Sequence, residues 1–243
     1  MTLDARRARI WQAMGMGPIW LRRDPPAATS TEHPAAEASE SDSREQRIAR
    51  LGWEELAAEV AGCRACRLCD TRTKTVFGVG NPNAEWMLIG EAPGAEEDAR
   101  GEPFVGQAGR LLDNILANVG LTRSGRTPQS VYIANVLKCR PPGNRNPEPS
   151  EVAHCEPFLL RQVELVKPKL IVVMGRFAAQ SLLRTDASIA SLRGRVHRVD
   201  VAGREIPVVV TYHPAYLLRN LADKAKVWAD LCLAREVAAR AAS

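Results

Sequence analysis

The chain has 243 residues, a formal net charge of +5 and 45% hydrophobic residues, enough to bury the core of one α/β domain with appendages. No run of about 18 apolar residues is present, and the arginine-bearing N-terminus lacks an uninterrupted apolar core, so neither a membrane span nor a secretory leader is expected. Without an export signal the six cysteines read as reduced thiols or metal ligands rather than disulfides, in a cytoplasmic protein. The basic balance, pI about 9.0, is compatible with a polyanion such as nucleic acid.

Residues 1–24 form a short amphipathic piece containing Trp11, Ile19, Trp20 and Leu21. It reads equally as a partner or oligomer contact and as a segment folding back on its own domain. A Pro/Ala/Ser/Glu tract over 25–44 has no hydrophobic periodicity and reads as a flexible linker, leaving 45–243 as the globular domain. Arg50 to Val60 has helical spacing and runs into GCRACRLCD (62–70). EWMLIGEAPG (85–94) is a short buried strand ending in a Gly/Pro turn, and 105–121 is an amphipathic helix.

SVYIANVLK (130–138) reads as a strand, and 150–166 as a helix with Ser150 as N-cap. KLIVVMG (169–175) suits a strand buried on both faces. A helix over about 176–184, two late strands (VHRVDV and IPVVVTYHP) and a closing helix over 221–241 complete the chain. Strands alternating with helices predict a three-layer α/β/α sandwich around a central, mainly parallel four-stranded sheet. In such sheets ligands bind beyond the carboxyl ends of the strands. Three of those ends, GEAPG, the Asn135 region and TYHP, carry polar or glycine-rich residues.

The crevice residues each admit a bland reading beside a chemical one. The loop 90–109 brings glycines together with Glu91, Glu96, Glu97 and Asp98, too acidic for a triphosphate cradle, and no nucleotide cofactor is expected. Phe104, between glycines, suits stacking on a planar ligand. Asn135, in an apolar strand, is either a structural amide or a reader of a nucleobase edge. In HPAYLLRN (213–220) an apolar tip beside Arg219 is either a packed loop or a wedge for DNA. Four thiolates from CxxC, Cys139 and Cys155 could bind zinc or [4Fe–4S] on donor type alone, and the CxxCxxC run leaves Cys69 as a further option.

Taken in order, CxxC, GEAPGAEED, GEPFVGQAG, YIANVLKCRPPGNRNP and HPAYLLR resemble the family 4, iron–sulfur uracil-DNA glycosylases, from about Gly62 to about Asn220. The resemblance implies monofunctional hydrolysis of the uracil–deoxyribose bond in single- or double-stranded DNA, the first step of base excision repair, by a monomer. It implies Glu91, Asn135 and His213 as catalytic groups and a uracil pocket of Gly90, Ala92, Glu97, Phe104, Asn135 and His213. DNA contacts would come from Lys138, Arg140, Arg145, Tyr216, Leu217 and Arg219, with Leu217 entering the duplex. A [4Fe–4S] cluster would be held by Cys63, Cys66, Cys139 and Cys155, leaving Cys69 a bystander. Ala92 stands where the best-known branch has an aspartate, which leaves water activation on Glu91 less firmly assigned. No histidine follows the second motif before His154, so covalent trapping of the abasic product is not expected. The competing reading is a catalytically weak DNA-binding accessory recruited through the N-terminal tryptophans.

Overall fold

The computed structural model describes residues 43–125 and 129–241, together with Ala13. The amphipathic segment expected over 1–24 and most of the expected linker lie outside the described residues. Asp42–Ser243 form one compact unit. The described segment starts inside the expected linker: Ser43 caps helix α1 (Arg44–Arg50) through a reciprocal bond with Gln46. The single helix expected from Arg50 to Val60 is two, because Gly52 breaks it and starts α2 (Trp53–Gly62), where Glu55 accepts the Gly52 N–H at 2.8 Å.

The remaining elements are β1 (Val79–Gly80), β2 (Trp86–Gly90), α3 (Ala95–Arg100), α4 (Gln107–Asn118), β3 (Val131–Asn135), α5 (Pro149–Val166), β4 (Leu170–Met174), α6 (Arg176–Leu183), α7 (Ile189–Leu192), β5 (Val196–Val201), β6 (Arg204–Thr211), α8 (Pro214–Leu217) and α9 (Lys224–Ala241). Among the described residues the sheet has six strands, ordered β1-β3-β2-β4-β6-β5. The four expected parallel strands, β3, β2, β4 and β6, form its centre, and β1 and β5 add antiparallel edges. Helix α5 starts one residue before the expected Ser150 cap. Pro149 occupies its first turn, where a missing N–H is harmless, and Glu151 accepts the Glu148 N–H at 2.9 Å.

Side-chain alternation explains why the central strands read as unbroken apolar runs. Met87, Ile89, Tyr132, Ala134, Ile171, Val173, Val208 and Val210 face one core with Leu159 and Val163 of α5 and Ala178 and Ala179 of α6. Trp86, Leu88, Val131, Ile133, Leu170, Val172 and Val209 face the other, with Leu112 and Leu116 of α4 and Leu231 of α9. Each of the Val, Leu, Ile and Met side chains contributes about 1.5–3 kcal/mol on leaving water. The edge strand β5 alternates exposed with half-buried residues, as one covered face requires. No helix among the described residues is long and apolar enough to cross a membrane.

One buried ionic network ties the closing helix to the end of β6. Asp230 of α9 accepts from Thr211 Oγ1 at 2.7 Å and from Arg193 Nε at 2.8 Å, and Arg193 also donates to the Lys226 carbonyl at 2.7 Å. The Arg193 guanidinium lies 4.4 Å over the Tyr212 ring, which stacks on Tyr216 at 4.7 Å. Asp230→Ala would strand Arg193 in a site where both partners are nearly inaccessible. We expect a loss of about 3–5 kcal/mol in urea unfolding; a change below about 1 kcal/mol would show that the network does not hold α9.

Candidate active site

The carboxyl ends of β2, β3 and β6 open onto a cleft of about 440 Å³. Glu91, Ala92, Glu97, Phe104, Asn135, Arg145, His213 and Arg219 all line it, so eight residues expected from the sequence meet in one place. The register accounts for the meeting: Gly90 pairs with Asn135 across β2 and β3, and Met174 pairs with Thr211 two residues before His213.

Gly90 is expected at the uracil pocket, and it acts by lacking a side chain. A Cβ there would strike Asn135 Oδ1 and come within 2.7 Å of Phe104 Cζ. Asn135 is buried, and its Oδ1 has no hydrogen-bond partner among the described residues. Native interiors rarely leave such an acceptor unmet, because the lost solvation costs about 1–3 kcal/mol. The orphaned amide lies on the cleft wall, where the N–H of a planar ligand would satisfy it.

Phe104 has φ of 55°, an uncommon conformation for a bulky residue and one found where surroundings over-determine it. The surroundings are specific. Glu97 accepts the Gly94, Val105 and Gly106 N–H groups at 3.1, 3.0 and 3.3 Å, pinning the loop on both sides of its turn. Gly109 leaves room for the Phe104 carbonyl, which any Cβ there would hit. Glu97 thus shapes the pocket wall through backbone anchoring.

His213 caps the four-residue α8. Its Nδ1 accepts the Ala215 N–H at 3.2 Å, which places the ring proton on Nε2 and leaves that nitrogen a donor. Burial, with Arg219 adding to it, pushes its pKa down to about 4 against the opposing pull of Glu97. The ring is therefore a neutral donor throughout the physiological range. It lies near-parallel to Phe104, with centroids 5.4 Å apart. Burial raises the Glu91 pKa, and Arg176 at the start of α6 partly offsets this.

Two expected DNA contacts are corrected. Lys138 is not at the surface: it is 1% exposed, and its Nζ donates to the Asn135 carbonyl and to Gln162 Oε1. Burial pushes its pKa down to about 7, opposed by Cys155 and Cys139. Leu217 is fully buried in the core on the α4 face, while Leu218 is 41% exposed. The phase of α8 turns the first leucine inward, so the apolar tip is Leu218. Tyr216 is half-buried and donates to Asp223 Oδ2 at 2.7 Å. Arg140 donates to Asn144 Oδ1 at 2.7 Å, and Arg145 grips Glu151 through two bonds of 2.9 and 2.6 Å beside the cleft.

Behind the cleft, Cys63, Cys66, Cys139 and Cys155 line one small cavity. Cys63 follows the last turn of α2, and Cys155 lies in the second turn of α5. Arg72 donates to Cys139 Sγ at 3.1 Å, Arg44 approaches Cys63 Sγ at 3.8 Å, and backbone N–H groups of Leu68 and Lys138 bond Cys66 and Cys155. Burial pushes the Cys66, Cys139 and Cys155 thiols upward, that of Cys155 to about 11, so a bound cation would have to displace their protons. As placed, the side chains close no ready-made single-ion site among the described residues. The donor set, four thiols encircling one void with N–H groups aimed at the sulfurs, fits a thiolate-bound metal centre. Cys69 does not line that cavity; its thiol meets Asp70 Oδ1 at 3.4 Å. Arg44 and Arg72 were not legible as cysteine partners, since only the folded α1 and the turn after Asp70 bring them there.

The Gly90 constraint is directly testable. Gly90→Ala should destabilise the fold by about 1–3 kcal/mol in urea unfolding, and a crystal structure should show the Asn135 and Phe104 side chains displaced. Unchanged stability with both side chains in place would refute it.

Comparison with known proteins agrees with this geometry. A family model described as the uracil DNA glycosylase superfamily matches residues 77–232. The type-4 uracil-DNA glycosylase of Archaeoglobus fulgidus is 46% identical over 169 residues, covering 68% of this chain and 82% of the relative. That of Sulfurisphaera tokodaii is 42% identical, covering 69% and 76%, and that of Thermotoga maritima 42% identical, covering 70% and 84%. A cleft equipped at three strand ends, a four-cysteine cavity behind it and these relatives converge: the chain belongs to the uracil DNA glycosylase superfamily, in its type-4 branch.

Proposed function

We propose that the chain releases uracil from DNA by hydrolysing its N-glycosidic bond, leaving an abasic site for later repair steps. The orphaned amide of Asn135 carries the reading. Uracil presents an N–H between two carbonyls. With Oδ1 accepting the N3–H and Nδ2 donating to O4, one side chain meets both groups. Cytosine presents an acceptor at N3 and a donor at its amino group, so the amide held in this orientation would face unpaired atoms. Phe104 supplies an apolar face for the base, which must leave the stack to reach a cleft of this depth.

As the bond breaks, negative charge grows on uracil O2. His213, neutral and donating its Nε2–H, stabilises that charge through a hydrogen bond without transferring the proton. Glu91, half-buried at the end of β2, is the carboxylate we assign to orienting the attacking water. Arg145 and Arg219 at the rim meet phosphate, and Leu218 occupies the space the base vacates. The alternative, a binding accessory that has lost catalysis, is disfavoured because the amide, the neutral imidazole donor and the carboxylate all line one cleft.

His213→Ala should reduce single-turnover uracil release by about 2–4 kcal/mol, roughly 30- to 1,000-fold, with DNA affinity nearly unchanged. Equal losses in rate and affinity would make His213 a DNA-positioning group instead.

Cys63, Cys66, Cys139 and Cys155 hold a [4Fe–4S] cluster in this reading. When bound, the cluster supplies a crosslink between the segment after α2 and the turn after β3, without entering the reaction. Cys155→Ser should lower bound iron and the brown absorption near about 400 nm, whereas Cys69→Ser should retain both. Stoichiometric zinc in colourless, active protein would overturn the assignment.

A further inference from the structure

Lys138 stands apart from the other basic residues near the cleft, because it faces inward. Its Nζ donates to the Asn135 carbonyl at 2.7 Å and to Gln162 Oε1 at 2.6 Å. Lys138 lines the cavity that Cys63, Cys66, Cys139 and Cys155 surround, and its own backbone N–H bonds Cys155. Gln162 is fixed in turn, donating to the Phe77 carbonyl at 2.8 Å and to the Tyr132 hydroxyl at 3.0 Å, so Nζ has one well-defined position. Asn135 ends β3, and its carbonyl is held by this ammonium.

We infer that Lys138 is a positioning residue: its Nζ, fixed by Gln162, holds the backbone carbonyl of Asn135 and so aims the amide at the base. The inference rests on the uracil-reading role of Asn135.

The test compares cluster-loaded wild type with Lys138→Met, which keeps length and removes the charge. Single-turnover release should fall about tenfold to a hundredfold, as expected for taking the donor away from a buried carbonyl. DNA affinity and its salt dependence should stay at wild-type values, and inhibition by free uracil should weaken by a similar factor. A wild-type rate, or intact turnover with weaker DNA binding and a flatter salt dependence, would overturn the inference. If Lys138→Met does not fold, Gln162→Met, which removes the other Nζ acceptor, should show a smaller loss of the same kind, and an unaffected rate there would equally overturn it. A wild type that releases no uracil would refute the glycosylase reading instead.

Discussion

The pairing of Gly90 with Asn135 across two parallel strands is the constraint on which the site depends. A parallel ladder ends both strands at the same level, so the loops leaving them must share one crevice. A side chain at Gly90 would fill the space that the Asn135 amide and the Phe104 ring occupy. The missing Cβ is therefore as much a part of the pocket as the groups around it. Everything else supports that vacancy: Glu97 pins the loop bearing Phe104, and Lys138 holds the Asn135 carbonyl from behind.

The chemistry depends on how these groups are kept poised. Asn135 is buried without a partner for its Oδ1 among the described residues, a cost that only a matching ligand removes. His213 is kept neutral and in a single tautomer by its burial and its position as the cap of α8. Phe104 is held in a backbone conformation it would not choose. Each is a local departure from the lowest-energy arrangement, and the sheet core with its two apolar faces supplies the stability that tolerates them.

Much of this was legible in the sequence, for physical reasons. Strands covered on both faces leave continuous apolar runs, so the central four stood out, and the polar residues ending them marked the crevice. The two edges were harder: β1 is two residues long, and the half-exposed β5 carries a pattern that does not reveal its antiparallel partner. Lys138 and Leu217 failed for a shared reason. Residue type suggests a surface cation and an exposed wedge, but one step of side-chain phase decides inward or outward, and that phase depends on tertiary packing. Arg44 and Arg72 come to the cysteines from segments remote in sequence, a contact no local pattern encodes.

The cysteine cavity and the cleft are two sides of the turn after β3. Asn135 faces the cleft, Lys138 and Cys139 face the cavity, and Arg140 lies at the mouth beside Asn144. The central claim, that this arrangement excises uracil from DNA, is tested most directly by incubating the cluster-loaded protein with a duplex carrying one uracil opposite guanine and measuring free base. The account predicts stoichiometric release of uracil with an intact abasic strand, and no release of cytosine from the matched control. Failure to release uracil, or equal release of cytosine, would contradict it.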